Sequence, residues 1–135
     1  MEPGPSASLD FDVTADDTAT ALLSGDLEVL ATPRLVAWLE AATCAAAADL
    51  LGPGETTVGT RVDVEHGAAS PVGARVRATA TLASVEGRTL TFAVEALDAD
   101  SGRALARGTI VRALVDRERF LGRLGARTDR DASDG

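Results

Sequence analysis

The pattern of apolar residues between Thr32 and Leu51 predicts one long α-helix, because these residues recur at three- and four-residue spacing. Thr32 followed by Pro33 is a typical helix start, since the threonine hydroxyl can accept a hydrogen bond from a free backbone N–H and proline has no N–H to leave unpaired. A Gly-Pro-Gly sequence at 52–54 predicts the end. Alanine fills most other positions and leaves almost no polar face, so we predict that the helix is mostly buried.

Elsewhere the chain alternates apolar and polar residues with a period of two, which predicts β-strands. The last strand has apolar residues on both faces, as expected for a strand that is covered on both sides. Short turns join the last three strands, so we predict that they are consecutive and antiparallel. The predicted strands are Leu9–Thr14, Glu55–His66, Ala74–Glu86, Arg88–Ala99 and Arg103–Val115.

The pattern is weakest in residues 15–31, where we expect one short helical turn and then an extended segment leading into the helix. A short terminal helix is predicted at 116–124. Both ends of the chain, 1–8 and 125–135, are expected to be disordered, the first because it is rich in Pro, Gly and Ser. Residues 9–124 then form a single domain.

One strand, one long helix and four antiparallel strands predict an α+β fold, in which an antiparallel sheet wraps around the helix because nothing else in the chain can cover it. This arrangement is the hot-dog fold. A single helix leaves the edge strands of such a sheet unpaired. We therefore expect a homodimer in which edge strands pair into a continuous sheet.

Composition and charge exclude several classes of function. The chain has 135 residues, 45% of them hydrophobic and 3% aromatic, so we expect a core of Ala, Val and Leu. The net charge is −8, and the 13 basic residues are all arginine and scattered, which argues against nucleic-acid binding. One cysteine and one histidine exclude an intrachain disulfide and a cluster of metal ligands. With no signal peptide and no uncharged apolar stretch of about 18 residues, we expect a cytoplasmic protein without a membrane partner.

Four residues in these elements are candidates for chemistry. Glu40 is a carboxylate in a nearly apolar helix, where it must be paired, hydrogen-bonded or protonated. His66 falls on the apolar face at the end of its strand, either as a structural histidine or as a proton acceptor. Gly59 interrupts the same strand and indicates either a bulge, which is the favoured interpretation, or a close approach to the backbone. Arg112 shares a face with apolar residues, so it needs a carboxylate partner or a ligand.

Four motifs resemble the fluoroacetyl-CoA thioesterase family, a hot-dog group, over about residues 9–121. They are VLATPRLVAWLE, TVGTRVDVEH, ASPVGARVRATATLASVEGRTL and GTIVRALVD. In that family a Thr at the helix start, a Glu eight positions later and a His twenty-six positions after the Glu form the catalytic set. The matching residues are Thr32, Glu40 and His66. The resemblance also implies that Gly59 and Arg112 contact the acyl-CoA substrate.

Thioester hydrolysis explains why these residue types would serve. The reaction needs proton removal, stabilisation of an oxyanion and departure of a thiolate, which requires little acid help. His66 can accept a proton near neutral pH. Glu40 could orient His66 or act as base or nucleophile, and Thr32 could hold water, polarise the carbonyl or attack it. Gly59 would let the thioester approach the backbone. Arg112 would stabilise the arrangement of the site or contact ligand oxygens. The sequence leaves these roles open.

The expected function is therefore hydrolysis of a short or small acyl-CoA at a dimer interface, with no metal and no cofactor besides the CoA of the substrate. The fluoroacetyl-specific family member carries bulky aromatic residues just before the catalytic Thr, whereas residues 12–37 contain no aromatic, so fluoroacetyl specificity is not expected here. Two alternatives are a noncatalytic acyl-ligand-binding dimer and a hydrolase of carrier-protein thioesters. A hot-dog hydratase or dehydratase is disfavoured because no histidine precedes His66.

Overall fold

The computed structural model describes the backbone of residues 4–134 and the side chains of residues 4–125. Two helices and five strands form a single α+β unit. A 3₁₀ turn follows the first strand at Ala15–Asp17, and a second, Ala48–Leu50, extends the first helix. In chain order the elements are β1 (Ser6–Asp12), α1 (Thr32–Ala47), β2 (Glu55–His66), β3 (Arg75–Glu86), β4 (Thr89–Asp98), β5 (Ala104–Asp116) and α2 (Arg117–Asp134).

The five strands form one sheet in the order β1-β3-β4-β5-β2, and every neighbouring pair is antiparallel. α1 packs on one face of this sheet, chiefly against β3 and β1. This confirms the predicted hot-dog arrangement of an antiparallel sheet around one long helix. Strands β1 and β2 are the two edges of the sheet.

The core lies between α1 and the inner face of the sheet. Leu35, Leu39 and Ala42 on α1 are fully buried, as are Val76 on β3 and Phe92 on β4. Burial of each of these larger side chains stabilises the fold by roughly 1.5–3 kcal/mol relative to leaving it exposed. The many alanines allow the helix to approach the sheet closely, so the low aromatic content still gives a continuous core.

The prediction that α1 is mostly buried needs correction. The side of α1 that carries Ala37, Cys44 and Ala45 is exposed in the single chain. Its residues are small and apolar, so the sequence pattern could not distinguish a side that packs on the sheet from a side that does not. α1 therefore presents an uncovered apolar side next to its packed side.

The predicted chain ends are also corrected. β1 begins at Ser6, inside the segment 1–8 that was expected to be disordered, because Ser6 and Ser8 pair with Thr81 and Thr79 on β3. Their hydroxyl groups hydrogen-bond across the strands at 3.0 and 2.7 Å. Residues 1–3 of that segment lie outside the described part.

The C-terminal helix α2 is longer than predicted. It runs from Arg117 to Asp134, well beyond the short helix predicted at 116–124 and through most of the segment 125–135 that was expected to be disordered. Its sequence contains no proline and is rich in good helix formers, which permits the longer helix. Residue 135 lies outside the described part.

Residues 18–31 form a loop with little regular structure. Thr18 bridges to Leu30, and Val29 bridges to Pro71, so the expected extended segment pairs only through isolated bridges. Between these bridges the chain makes a series of turns, and Leu23 has a positive φ of 57°. Among the described residues, no helix is long and apolar enough to cross a membrane.

Candidate active site

Thr32 and His66 form one half of the predicted catalytic set. Thr32 is the first residue of α1, and His66 is the last residue of β2. Thr32 Oγ1 lies 2.8 Å from His66 Nδ1 in a hydrogen bond. The position before the helix is taken by Ala31, so the predicted N-cap at Thr32 is corrected: its hydroxyl bonds to the histidine instead of capping the helix.

The environment of His66 favours its neutral form. Desolvation by burial lowers the pKa of His66 below the ordinary value of 6.5, and a backbone hydrogen-bonding interaction with Ala68 partly offsets the effect. Nε2 is shielded from solvent and has no hydrogen-bond partner of good geometry among the described residues. The nitrogen available for proton transfer is therefore Nδ1, which is hydrogen-bonded to the exposed Thr32.

A pocket of about 200 Å³ opens beside this pair. Its walls come from the loop before α1, including Ala19, Ser24 and Val29, and from residues 67–69 after β2. Most of these side chains are small and aliphatic. The pocket can thus receive an apolar group whose polar end lies against Thr32 and His66.

Glu40, Gly59 and Arg112 form a second cluster. Arg112 Nη1 lies 3.3 Å from Glu40 Oε2. A Cβ added at Gly59 would lie 2.7 Å from the same Glu40 oxygen and 3.4 Å from Arg112 Nη1, so only glycine fits here without displacing the carboxylate. Arg112 therefore has the carboxylate partner that its buried position requires, and this partner lies on α1. Its contact with the substrate stays a prediction.

Thr57 fixes the direction of the buried Arg112 side chain. The Nε of Arg112 donates to Thr57 Oγ1 at 2.8 Å, and its Nη2 donates to the Thr57 backbone carbonyl at 3.1 Å. Because these bonds use two of the guanidinium nitrogens, the third is left to face Glu40. Sequence reasoning missed Thr57, since the alternation along β2 placed it on the other face of the strand.

A β-bulge in β2 explains that error. The pairing of β2 with β5 shifts between Gly59 and Arg61, which leaves Thr60 as an extra residue. Gly59 pairs with Arg112, and His66 pairs with Ala106, so both lie on the inner face of the sheet in spite of their odd spacing. The bulge predicted at Gly59 is thereby confirmed, and the close approach to Glu40 is present as well. Without the bulge Gly59 and His66 would face opposite sides of the sheet.

The five predicted site residues thus lie in two places within one chain. We call Thr32 with His66 the Thr32 half, and Glu40 with Gly59 and Arg112 the Glu40 half. Glu40 follows Thr32 by eight residues on α1, which corresponds to roughly 12 Å along the helix axis. Gly59 precedes His66 by seven residues on β2, a separation of roughly 20 Å. Within residues 4–125, no hydrogen bond or ion pair joins the two halves.

Metal binding has no support in the geometry of the described side chains. Their His, Cys, Asp and Glu residues form no group of three or more that could hold a metal ion. The polar groups at hand are a hydroxyl, an imidazole, a carboxylate and a guanidinium, which are typical of proton transfer and of anion binding.

Comparisons with known proteins identify the family. Residues 13–118 match the family model described as fluoroacetyl-CoA-specific thioesterase. The fluoroacetyl-CoA thioesterase of Streptantibioticus cattleyicolor is 41% identical over 101 residues, which cover 75% of this chain and 71% of that protein. A variant of the fluoroacetyl-CoA thioesterase FlK, solved in complex with acetyl-CoA, is 35% identical with a TM-score of 0.85, covering 95% of this chain and 99% of the other. A thioesterase superfamily member of Thermus thermophilus, 24% identical, has a TM-score of 0.89, covers 98% of this chain and 96% of the other, and supports the fold alone.

The fold and these relatives define a thioester hydrolase of the hot-dog class. The chain belongs to the fluoroacetyl-CoA-specific thioesterase family, which confirms the resemblance in the sequence motifs.

Proposed function

We propose that this protein hydrolyses a small acyl-CoA thioester at a site built from two copies of the chain. The Thr32 half would come from one copy and the Glu40 half from the other. The observation that carries this proposal is that each half has one residue, Gly59 or His66, on the inner face of β2, which is an edge strand of the sheet.

Antiparallel pairing of β2 with β2 of a second copy would join the halves. If the two-fold axis passes through Asp63 and Thr60 stays the unpaired residue of the bulge, Gly59 lies opposite His66 of the partner subunit on the same face of the sheet. The same operation builds a second, identical site. The segment Thr60–Asp63 is exposed in the single chain and has an unpaired edge, as this pairing requires.

The exposed side of α1 supports the same arrangement. Ala37 and Cys44 lie about one turn before and after Glu40, on the uncovered side of the helix. A two-fold axis perpendicular to the sheet places both helices on one face of the continuous sheet. A second copy would then cover apolar surface that the single chain leaves in water.

Each residue of the proposed site has its own role in the hydrolysis. Water adds to the thioester carbonyl carbon, the C–S bond breaks, and a carboxylic acid and a free thiol leave. His66 accepts a proton at Nδ1 from the Thr32 hydroxyl, which either attacks the carbonyl itself or passes on the proton of the attacking water. Gly59 leaves room for the Glu40 carboxylate against the bulged backbone, beside which the thioester carbonyl would lie. Arg112 holds Glu40, and Glu40 balances the charge that develops on His66 of the partner subunit.

The acyl group would occupy the pocket beside Thr32. Its volume of about 200 Å³ exceeds what a two-carbon acyl group fills, and its walls are mostly aliphatic. The segment 12–37 contributes no aromatic side chain to narrow it. We therefore propose a short, branched or aryl acyl group larger than fluoroacetyl.

Release of free thiol from a panel of acyl-CoAs tests this function. The variants are Thr32→Ala, Glu40→Ala and His66→Ala, and the matched control is Glu65→Ala, which removes an exposed carboxylate next to His66. Turnover by the wild type that falls about 10²-fold or more in the Glu40 and His66 variants, but not in the control, would support the proposal. Binding of acyl-CoA without turnover would favour the noncatalytic dimer, and turnover of carrier-protein thioesters alone would favour the other alternative. The cytoplasmic location and the absence of a cofactor stay predictions.

A further inference from the structure

A second pocket, of about 210 Å³, lies at the end of β5 away from His66. Three arginines from different parts of the fold line it: Arg88 from the β3–β4 turn, and Arg119 and Arg123 from α2. The two arginines on α2 are four residues apart and so lie on the same side of the helix. Phe120, which is half-buried, adds an aromatic wall. We call these four residues the arginine pocket.

The three guanidinium groups are not neutralised within the described part of the chain. None of them lies within ion-pair distance of a carboxylate among residues 4–125. Arg88 makes only a long contact of 3.5 Å to the Leu114 carbonyl. The one carboxylate in the pocket, Asp116, accepts from the backbone N–H of Arg119 at 2.9 Å. The pocket therefore concentrates positive charge on a chain whose net charge is −8.

The arginine pocket is aligned with the Glu40 half of the site. Arg112 and two residues at the pocket, Leu114 and Asp116, alternate along β5 and share its inner face. Asp116 follows Arg112 by four residues, which corresponds to roughly 13 Å along the strand. The pantetheine arm of CoA is long enough to bridge this distance. If the thioester is held at Gly59, the far end of its CoA group could thus reach the arginine pocket.

We propose that the arginine pocket binds the phosphorylated nucleotide of the acyl-CoA substrate, an inference that rests on the proposed function. Guanidinium groups bind phosphate oxygens through paired hydrogen bonds, and three of them match the several phosphates that CoA carries. The Phe120 ring offers a surface on which adenine can stack. A carrier-protein thioester has a single phosphate and no adenine, so this pocket selects CoA.

A kinetic comparison of two substrates tests the proposal. The test variant is Arg119→Ala/Arg123→Ala, and the control is Arg103→Ala/Arg107→Ala, which removes the same charge from exposed positions outside the pocket. With acyl-CoA the test variant should raise KM about tenfold at unchanged kcat, through the loss of charge-assisted hydrogen bonds. With the same acyl group on pantetheine, which lacks the nucleotide, neither variant should change KM.

Direct binding keeps this test separate from the proposed function. Adenosine 3′,5′-bisphosphate, titrated calorimetrically, should bind the wild type and the control but about tenfold more weakly to the test variant, whether or not any thioester is hydrolysed. An equal rise of KM for acyl-pantetheine would assign the arginines a structural role and overturn the proposal. Unchanged nucleotide binding, or a KM effect confined to carrier-protein thioesters, would overturn it as well.

Discussion

Glu40 occupies the space that a side chain at Gly59 would need, since a Cβ there would lie 2.7 Å from Glu40 Oε2. This contact joins the middle of α1 to the bulge in β2. It also explains why a glycine interrupts an otherwise regular strand. The position of the Glu40 carboxylate, and therefore its ion pair with Arg112, depends on the absence of a side chain at residue 59.

Gly59→Ala should displace Glu40 and lower kcat by about tenfold to a hundredfold, because a shift of about 1 Å in a catalytic group is enough for such a loss. The measurement is thiol release under saturating acyl-CoA, with circular dichroism to confirm the fold. Gly122→Ala is the matched control, since nothing lies within 4 Å of a Cβ there. Full activity of Gly59→Ala would contradict the importance of this contact.

Thr57→Val should destabilise the protein by about 1–3 kcal/mol, because it leaves the buried Nε of Arg112 without its acceptor. The change in the free energy of unfolding is read from the midpoint in urea. Thr57→Ser keeps the hydroxyl and should retain most of the wild-type free energy of unfolding. Thr109→Val, on the exposed face of β5, should have little effect. Equal midpoints for the two valine variants would show that Thr57 does not anchor Arg112.

The sequence predicted α1 and the strands because each depends on local signals. The three- and four-residue spacing defined α1, and the period of two defined the strands. The resemblance of four motifs to the family nominated the five candidate site residues, whose roles stay predictions. The bulge at Gly59 was foreseen, yet its consequence was not: an extra residue at Thr60 reverses the alternation and moves Thr57 to the inner face. Period-two reasoning therefore failed where the strand is irregular.

The separation of the site into two halves could not be derived from spacing along the chain. Thr32 and Glu40 are on the same helix, and their distance follows from the helix rise once the helix is known, but their partners on β2 depend on tertiary packing. The hydrogen bond from Thr32 to His66 is likewise a long-range contact, and it replaced the helix cap that local reasoning assigned to Thr32. The exposed side of α1 was missed because alanine fits both buried and exposed positions.

The pKa of His66 should depend on Glu40 of the partner subunit. Burial disfavours the imidazolium and lowers the pKa below 6.5, whereas a nearby carboxylate stabilises it and raises the pKa. Glu40→Gln should therefore lower the pKa of His66 relative to the wild type. Because the chain has one histidine, a proton NMR titration reads this value without ambiguity.

Glu65→Gln is the control for that titration. Glu65 is adjacent to His66 in sequence but lies on the opposite face of β2, so its loss should move the pKa of His66 only slightly. If Glu40→Gln and Glu65→Gln have the same small effect, the two halves of the site do not meet.

Ser24→Phe should narrow the acyl pocket beside Thr32. The new ring fills part of the space of about 200 Å³ in the pocket, so kcat/KM for branched or aryl acyl-CoAs should fall at least about tenfold relative to acetyl-CoA. Glu28→Phe, an exposed position of the same loop outside the pocket, is the control. A uniform loss for all acyl groups would indicate that the acyl chain binds elsewhere.

Complementation between two inactive variants tests the two-copy site most directly. Glu40→Ala and His66→Ala, each inactive alone, are unfolded and refolded together, and thiol release from acyl-CoA is measured. A mixed dimer would contain one intact site, so the account predicts recovery to about a quarter of the wild-type rate in an equal mixture. Thr32→Ala refolded with His66→Ala has both lesions in the same half and should recover nothing. If the Glu40→Ala and His66→Ala mixture also recovers nothing although mixed dimers form, the catalytic residues do not come from two copies.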